Sequence, residues 1–222
     1  MHPDCLRTAL VPRTPTRASP LPSPAMVEAM QQGNDAPQPA SRPSRRDALL
    51  DAFCDLVLRE GDRAATLDAV AKAANVSKGG LLYHFPNREA LVAGLCDRLR
   101  ELVDADLAQL AASELSPTEW YLRTSVNFES DLERAHNTLI RLAPAYGDPV
   151  RATLVECRER WLAPVEAELE DPDLATAVLL IGDGIAHSAE VDGANAGQSR
   201  FSSAETAAKL AKYILGMRML RR

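Results

Sequence analysis

The sequence predicts an all-α protein, and three observations lead to that prediction. Apolar residues recur at the i, i+3, i+4 spacing of an amphipathic helix through most of residues 44–222. Ser, Thr, Asp or Asn, the residues that cap helices, stand directly before these periodic segments. No alternation of apolar and polar residues is long enough to indicate a β-strand.

The first 43 residues differ from the rest of the chain in composition. They hold nine of its fifteen prolines, with Arg, Ser and Gln between them. A segment of this kind cannot bury enough apolar surface to offset the entropy lost on ordering. We therefore expect residues 1–43 to be a disordered tail.

Two helices are expected directly after the tail. Ser44 can cap the first and Gly61 can end it, with apolar residues from Leu49 to Val57 on one face. Thr66 can cap a second, shorter helix that ends near residue 74.

A third and a fourth helix follow. Asn75 suits a left-handed turn residue, and Ser77 caps a third helix that must stop before Pro86. Asn87 caps a long fourth helix, which keeps its apolar rhythm as far as Leu110.

Residues 66–74 and 77–85, joined by a short turn, are typical of a helix-turn-helix, whose second helix enters the DNA major groove. Gly79 and Gly80 leave the start of that helix nearly bare, so that its backbone can approach DNA closely. The only formal charges from Ala69 to Arg88 are positive, although the whole chain carries −6. Alternatively, the Gly-Gly start packs against another helix and Tyr83 belongs to the core.

The stretch TLDAVAKAANVSKGGLLYHFPNREAL, residues 66–91, resembles the signature of the TetR/AcrR family of bacterial transcriptional regulators. The resemblance covers about residues 43–103. It implies a three-helix DNA-binding head over residues 44–103, whose long fourth helix joins it to a helical ligand-binding and dimerisation domain over residues 104–222. A homodimer on a pseudo-palindromic double-stranded operator is also implied.

The resemblance also implies roles for individual residues. Thr66 and Arg88 would meet phosphate, Lys78 and Tyr83 would face the groove, and His84 would reach the DNA backbone. Two positions depart from the family pattern. Leu82 stands where the family usually has tyrosine, and Gly80 stands where a small polar residue is common, which leaves more of the recognition to DNA shape.

The second half is expected to be helical as well. Ser116 and Ser202 each begin a capping-box pattern, and helices are expected to start at Asp148 and Asp173. Aromatic and polar residues among these helices could line an apolar pocket for a small-molecule effector or could simply be core. The candidates for the ligand site are Trp120, Phe128, Trp161 and His187.

The last two helices, about 173–191 and 203–220, are expected to pair across a two-fold axis into a four-helix dimer bundle. The apolar residues expected in this seam are Leu174, Val178, Ile181, Ile185, Leu210, Ile214 and Met217.

Composition and spacing argue against other functions. The four cysteines and the histidines lack metal-ligand spacing, and no catalytic nucleophile lies in a recognisable motif, so we expect no metal, no cofactor and no enzyme. The longest apolar run, residues 174–182, is short for a bilayer. We expect a cytoplasmic, ligand-responsive repressor. The alternative is an architectural or replication-linked DNA-binding protein on the same fold without an effector.

Overall fold

The structure, a computed structural model, describes residues 44–220, so the expected disordered tail lies outside the described residues. Within them every regular element is helical, which confirms the all-α prediction. A short 3-10 turn, Gly193–Asn195, precedes the last helix. The helices are α1 (Arg45–Glu60), α2 (Leu67–Ala73), α3 (Lys78–His84), α4 (Arg88–Ala112), α5 (Pro117–Thr124), α6 (Asp131–Tyr146), α7 (Asp148–Leu169), α8 (Pro172–Asp192) and α9 (Ala204–Leu220).

The first four helices begin where their capping residues predict. The side chains of Ser44, Thr66, Ser77 and Asn87 each accept a hydrogen bond from the backbone N–H three residues ahead, at 2.8–3.2 Å. Asn75 has a φ of 53°, the left-handed conformation that the turn between α2 and α3 requires. Helix α4 runs without interruption through residue 103, so the expected domain boundary lies inside a continuous helix.

The core of the head is built around Phe53 and Phe85, which are 0% and 3% exposed. The Phe85 ring lies against α4 at Gly94, where a Cβ atom would lie 2.6 Å from the ring Cε1 atom. Phe85 is therefore a core residue, and its position ties the end of α3 to α4.

Helix α6 was not expected from the sequence. It buries Ala135, Thr138, Leu139 and Leu142 against α1, α4 and α7. Its apolar residues do recur at helical spacing, so this helix could have been predicted from the sequence.

The C-terminal helices require three corrections. Helix α8 starts at Pro172 and is capped by Asp171, not by Asp173. Ser203 caps α9, because the Ser202 hydroxyl is buried and donates to an Asp192 carboxylate oxygen at 2.7 Å. Within the protomer, residues expected in the dimer seam are already in the core, since the exposed fractions of Val178, Ile185 and Ile214 are 4% or less.

Among the described residues, the segment Pro172–Asn195 is long and apolar enough to cross a membrane by length and composition. Core helices of water-soluble proteins pass the same test. Helix α8 packs against α5 and α7, and it buries Ala175, Val178, Leu179 and Ile185 there.

Candidate functional site

Helix α3 divides sharply into a buried face and an exposed face. Leu81 is fully buried, whereas Lys78 and Gly79 are exposed. Leu82 is 38% exposed and Tyr83 is 86% exposed. The predicted recognition helix therefore presents its candidate residues outward, and Tyr83 does not belong to the core.

Lys78 has a partner on the neighbouring helix. Its ammonium lies 2.9 Å from a carboxylate oxygen of Asp68 on α2, and both side chains are more than half exposed. A surface pair of this kind contributes between 0 and about 1 kcal/mol, so an incoming phosphate or base can replace it at low cost.

The two glycines of α3 differ in the space that surrounds them. A Cβ atom at Gly80 would lie 2.9 Å from Val76 Cγ1 and 3.2 Å from Ser77 Oγ, so Gly80 is needed by the turn itself. A Cβ atom at Gly79 would meet nothing within 4 Å. Of the pair, only Gly79 leaves open space in front of the helix.

Arg88 is directed into the head. Its guanidinium pairs with the Asp62 carboxylate at 2.6 Å, donates to the Asp62 carbonyl oxygen, and lies 5.8 Å from the centre of the Phe53 ring. Its side chain is 23% exposed. The resemblance implies a phosphate contact, but here the guanidinium joins the start of α4 to the loop after α1.

Thr66 and His84 lie at the edges of the exposed surface of α3. The Thr66 hydroxyl is exposed and accepts the capping bond from the N–H of Ala69, which leaves its own proton available to an acceptor. The His84 ring is partly buried and makes an edge contact with Tyr83 at 5.2 Å between ring centres.

A cavity of about 510 Å³ lies among α4, α5, α6, α7 and α8. Trp120, Trp161 and His187 line it, as the ligand-site prediction requires. Phe128, in the connection between α5 and α6, is not part of the lining. Gly182 permits close helix packing here, since a Cβ atom would lie 2.4 Å from the Tyr121 ring.

The cavity also contains acidic residues that sequence reasoning missed. Burial raises the pKa of Glu133 to about 7, with smaller contributions from the nearby carboxylates of Asp183 and Asp106. Burial also raises the pKa of Asp106. The spacing of Ser130 and Glu133 matches that of a capping box. The Glu133 carboxylate, however, lines the cavity and does not bond to the Ser130 backbone.

Helix α6 connects the cavity to the head. The Arg134 guanidinium pairs with Asp55 of α1 at 2.6 Å. Arg141, which lines the cavity, donates to the Leu58 carbonyl oxygen of α1 at 2.9 Å and pairs with Glu190 of α8. A movement of α6 caused by a ligand would therefore act directly on α1.

Comparisons with known proteins point to one family. A family model described as bacterial regulatory proteins, tetR family, matches residues 49–95, from α1 to the first part of α4. Over 97 residues the chain is 32% identical to the HTH-type transcriptional regulator RutR of Escherichia coli K12, covering 41% of this chain and 44% of RutR. The HTH-type transcriptional regulator EthR of Mycobacterium tuberculosis is 31% identical over 97 residues, 43% of each chain. The chain thus spans less than half the length of these relatives.

The fold resembles solved structures over a longer range. The multidrug binding protein EbrR complexed with malachite green matches with a TM-score of 0.57 and 22% identity, covering 78% of this chain and 98% of that one. At this identity the likeness concerns the fold, and it extends beyond the head into the helices that surround the cavity.

Proposed function

We propose that this chain, which belongs to the TetR family of bacterial regulatory proteins, is a cytoplasmic transcriptional regulator that binds operator DNA through α3. We propose that it acts as a repressor and that a small molecule in the cavity releases it. No catalytic step is part of this function. The observation that carries the proposal is the outward face of α3, with Lys78, Gly79 and Tyr83 exposed above a buried Leu81.

DNA binding can be tested without knowing the operator. Duplexes selected from a random library by the full chain give a consensus, and binding to that consensus is measured by fluorescence anisotropy. Tyr83→Ala should weaken binding to the selected duplex, because it removes the most exposed aromatic side chain of α3. Arg123→Ala, which removes an exposed cation on α5, is the matched control and should leave binding unchanged. Failure of the full chain to enrich any sequence would contradict the proposal.

The cavity supports the effector part of the proposal. Its volume of about 510 Å³ falls within the range of small-molecule sites, and a fully packed interior would have favoured the alternative without an effector. Structures of EbrR complexed with imidazole and with malachite green are similar to this fold.

The coupling between cavity and DNA is proposed to run through α6. A ligand that shifts α6 would displace Arg134 and Arg141 and thereby reorient α1, on which the helix-turn-helix packs. Arg134→Ala removes the contact with Asp55 but touches neither the cavity nor α3. It should therefore change how much ligand is needed to release DNA more than it changes ligand affinity.

A dimer is part of the proposal, because two heads are needed to contact the two half-sites of a pseudo-palindrome. Leu180 and Val191 lie on one exposed side of α8, and Tyr213 and Met217 lie four residues apart on an exposed side of α9. Their exposed fractions are between 47% and 74%, which supports this surface as the self-complementary contact in place of the buried residues named from the sequence.

A further inference from the structure

The charges that line the cavity do not balance. Three acidic residues, Asp106, Glu133 and Asp183, face one another closely enough to affect the Glu133 carboxyl group. Counted over the whole lining, carboxylates outnumber guanidiniums. The carboxylates are those of Asp106, Asp131, Glu133, Asp183 and Glu190, and the guanidiniums are those of Arg141 and Arg158.

Three of these carboxylates already have a cationic partner. Asp183 pairs with Arg158 at 3.2 Å, and Glu190 pairs with Arg141. Asp131 lies 3.7 Å from the guanidinium of Arg98 on α4. Asp106 and Glu133 are left without a cationic partner among the described residues.

Asp106 has only a neutral hydrogen bond to compensate its charge. The Trp120 indole N–H donates to its carboxylate at 3.3 Å. This bond also places an aromatic ring directly beside the uncompensated acid.

Glu133 has less compensation still. The Ser130 side chain accepts a bond from the Glu133 backbone N–H at 3.2 Å, but the reciprocal bond from the carboxylate to the Ser130 backbone is absent from this cap. In the cap of α5 the corresponding carboxylate, that of Glu119, does make the reciprocal bond. No hydrogen bond or ion pair reaches the Glu133 carboxyl group from the described part of the chain, so it is free to face the cavity.

The histidine beside Glu133 does not neutralise it. His136 lines the same cavity and makes no hydrogen bond with another described residue. Burial lowers the pKa of His136, so its ring stays uncharged at neutral pH, although Asp183 opposes this effect. His136 therefore adds no positive charge to the cavity.

Aromatic rings provide the remaining walls. Trp120, Tyr121 and Trp161 all line the cavity, and the rings of Tyr121 and Trp161 lie 5.5 Å apart in a tilted arrangement. Aromatic faces next to a carboxylate attract organic ammonium groups. Within residues 44–220, no three His, Cys, Asp or Glu side chains are grouped to hold a metal ion, so the arrangement favours an organic cation over a metal.

We propose that the effector is an organic cation, whose charge is held by Glu133 together with Asp106 and whose apolar part contacts Trp120, Tyr121 and Trp161. The effector role rests on the proposed function, whereas the charge preference rests on the cavity alone. A neutral molecule of the same shape would form no ion pair with Glu133 or Asp106 and would bind less tightly than the cation.

The test compares two probes of the same shape with the full chain. The cation is (4-hydroxyphenyl)trimethylammonium, and 4-tert-butylphenol is its neutral isostere. Both tryptophans of the chain, Trp120 and Trp161, line the cavity, so tryptophan fluorescence reports binding there. Titration calorimetry gives the two affinities independently.

The wild-type protein should bind the cation about tenfold or more tightly than the neutral phenol. Glu133→Gln should remove most of this preference by weakening the binding of the cation. Glu129→Gln, an exposed glutamate outside the cavity, is the matched control and should keep the preference. Asp106→Asn gives a second variant on the opposite wall, with the same expected direction.

Equal affinity for the two probes in the wild-type protein would overturn the proposal without reference to any variant. A cation preference that survives both Glu133→Gln and Asp106→Asn would also overturn it.

Release of the selected duplex separates this inference from the proposed function. If the neutral phenol releases DNA as well as the cation does, the cavity regulates DNA binding and the cation assignment is wrong. If the cation binds with the expected preference but leaves DNA bound, the cation assignment stands and the effector role is wrong.

Discussion

The head and the cavity use polar side chains in opposite ways. In the head, the caps of Thr66, Ser77 and Asn87 each join residues three positions apart, and the Lys78–Asp68 pair lies on the surface. In the cavity, by contrast, Glu133 and Asp183 come from helices distant in sequence and meet in a partly enclosed space. A polar group on the surface is solvated at little cost, whereas the same group in the cavity is costly until a ligand compensates it. This difference agrees with the two proposed functions, which are DNA binding by the exposed surface of the head and binding of an organic cation in the cavity.

The largest effects are expected from charges introduced into the C-terminal helices, at one buried and one exposed apolar site. Ile214→Asp places a charge at a site that is 3% exposed. We expect the free energy of unfolding to fall by on the order of several kcal/mol, which is enough to unfold the protein. Leu180→Asp makes a similar change at a site that is 63% exposed, and it should leave a folded protein that sediments as a monomer. Circular dichroism and sedimentation velocity distinguish the two results.

Val155→Asp, at another exposed apolar site on α7, is the control for these variants and should remain a dimer. A tight dimer formed by Leu180→Asp would show that the exposed side of α8 is not the contact surface.

The cavity can be tested next through its pH dependence. Because the pKa of Glu133 is raised from 4.5 to about 7, the native state holds a proton that the unfolded state releases. The contribution of this group to the free energy of unfolding is therefore fully present below about pH 4.5. It falls by up to about 3 kcal/mol as the pH rises towards about 7. Urea unfolding of the wild-type protein and Glu133→Gln across this range measures the effect.

Only the difference between the two proteins isolates Glu133. The lowered pKa of His136 acts with the opposite sign, because stability from that group rises with pH. Asp106 and Asp183 with its partner Arg158 also face Glu133, and the variant retains all of these groups. A wild-type curve parallel to that of Glu133→Gln would contradict the buried, uncompensated state of this carboxylate.

Within the head, Arg88 is directed inward onto Asp62, although the resemblance implies a DNA contact for it. Arg88→Ala leaves Asp62 without its partner and should lower the free energy of unfolding by about 2 kcal/mol. Binding of the selected duplex at a temperature where the variant is folded should keep the wild-type slope of log affinity against log salt. A slope flattened by about one unit per protomer would instead restore Arg88 as a phosphate contact.

Most of the head could be predicted from the sequence, because its structure depends on local patterns. Caps such as Ser77 and Asn87, and the helix-turn-helix between them, depend on residues a few positions apart, so their pattern is visible in the chain. The direction of Arg88 could not be read, because it depends on where the loop containing Asp62 lies after folding.

The cavity was least predictable for a related reason. Trp120 and Trp161 were candidates on residue type alone, and the structure brings them together in the lining. Glu133 was missed because its helix was not expected and because its environment comes from four other helices. Phe128 met the same residue-type criterion as the tryptophans and lies outside the lining.

The smallest effect on stability is expected at Lys78. Its partner Asp68 is exposed, so Lys78→Ala should change the free energy of unfolding by no more than about 0.5 kcal/mol. Its effect should appear on DNA, because a lysine at the first turn of a recognition helix can donate to guanine acceptors in the major groove. We expect weaker discrimination at one position of each half-site, by roughly 1–3 kcal/mol, when single-base variants of the selected duplex are compared.

Arg123→Ala again serves as the control for Lys78→Ala, since it removes an exposed cation from α5. If Lys78→Ala weakens binding to every duplex by the same factor, the lysine contacts only phosphate, and sequence preference rests on Tyr83, on the backbone at Gly79 and on DNA shape. If Lys78→Ala changes neither affinity nor discrimination, Lys78 stays paired with Asp68 in the complex, and the start of α3 does not enter the groove. The exposed cation of the head would then serve a partner within the protein, as the paired charges of the cavity do.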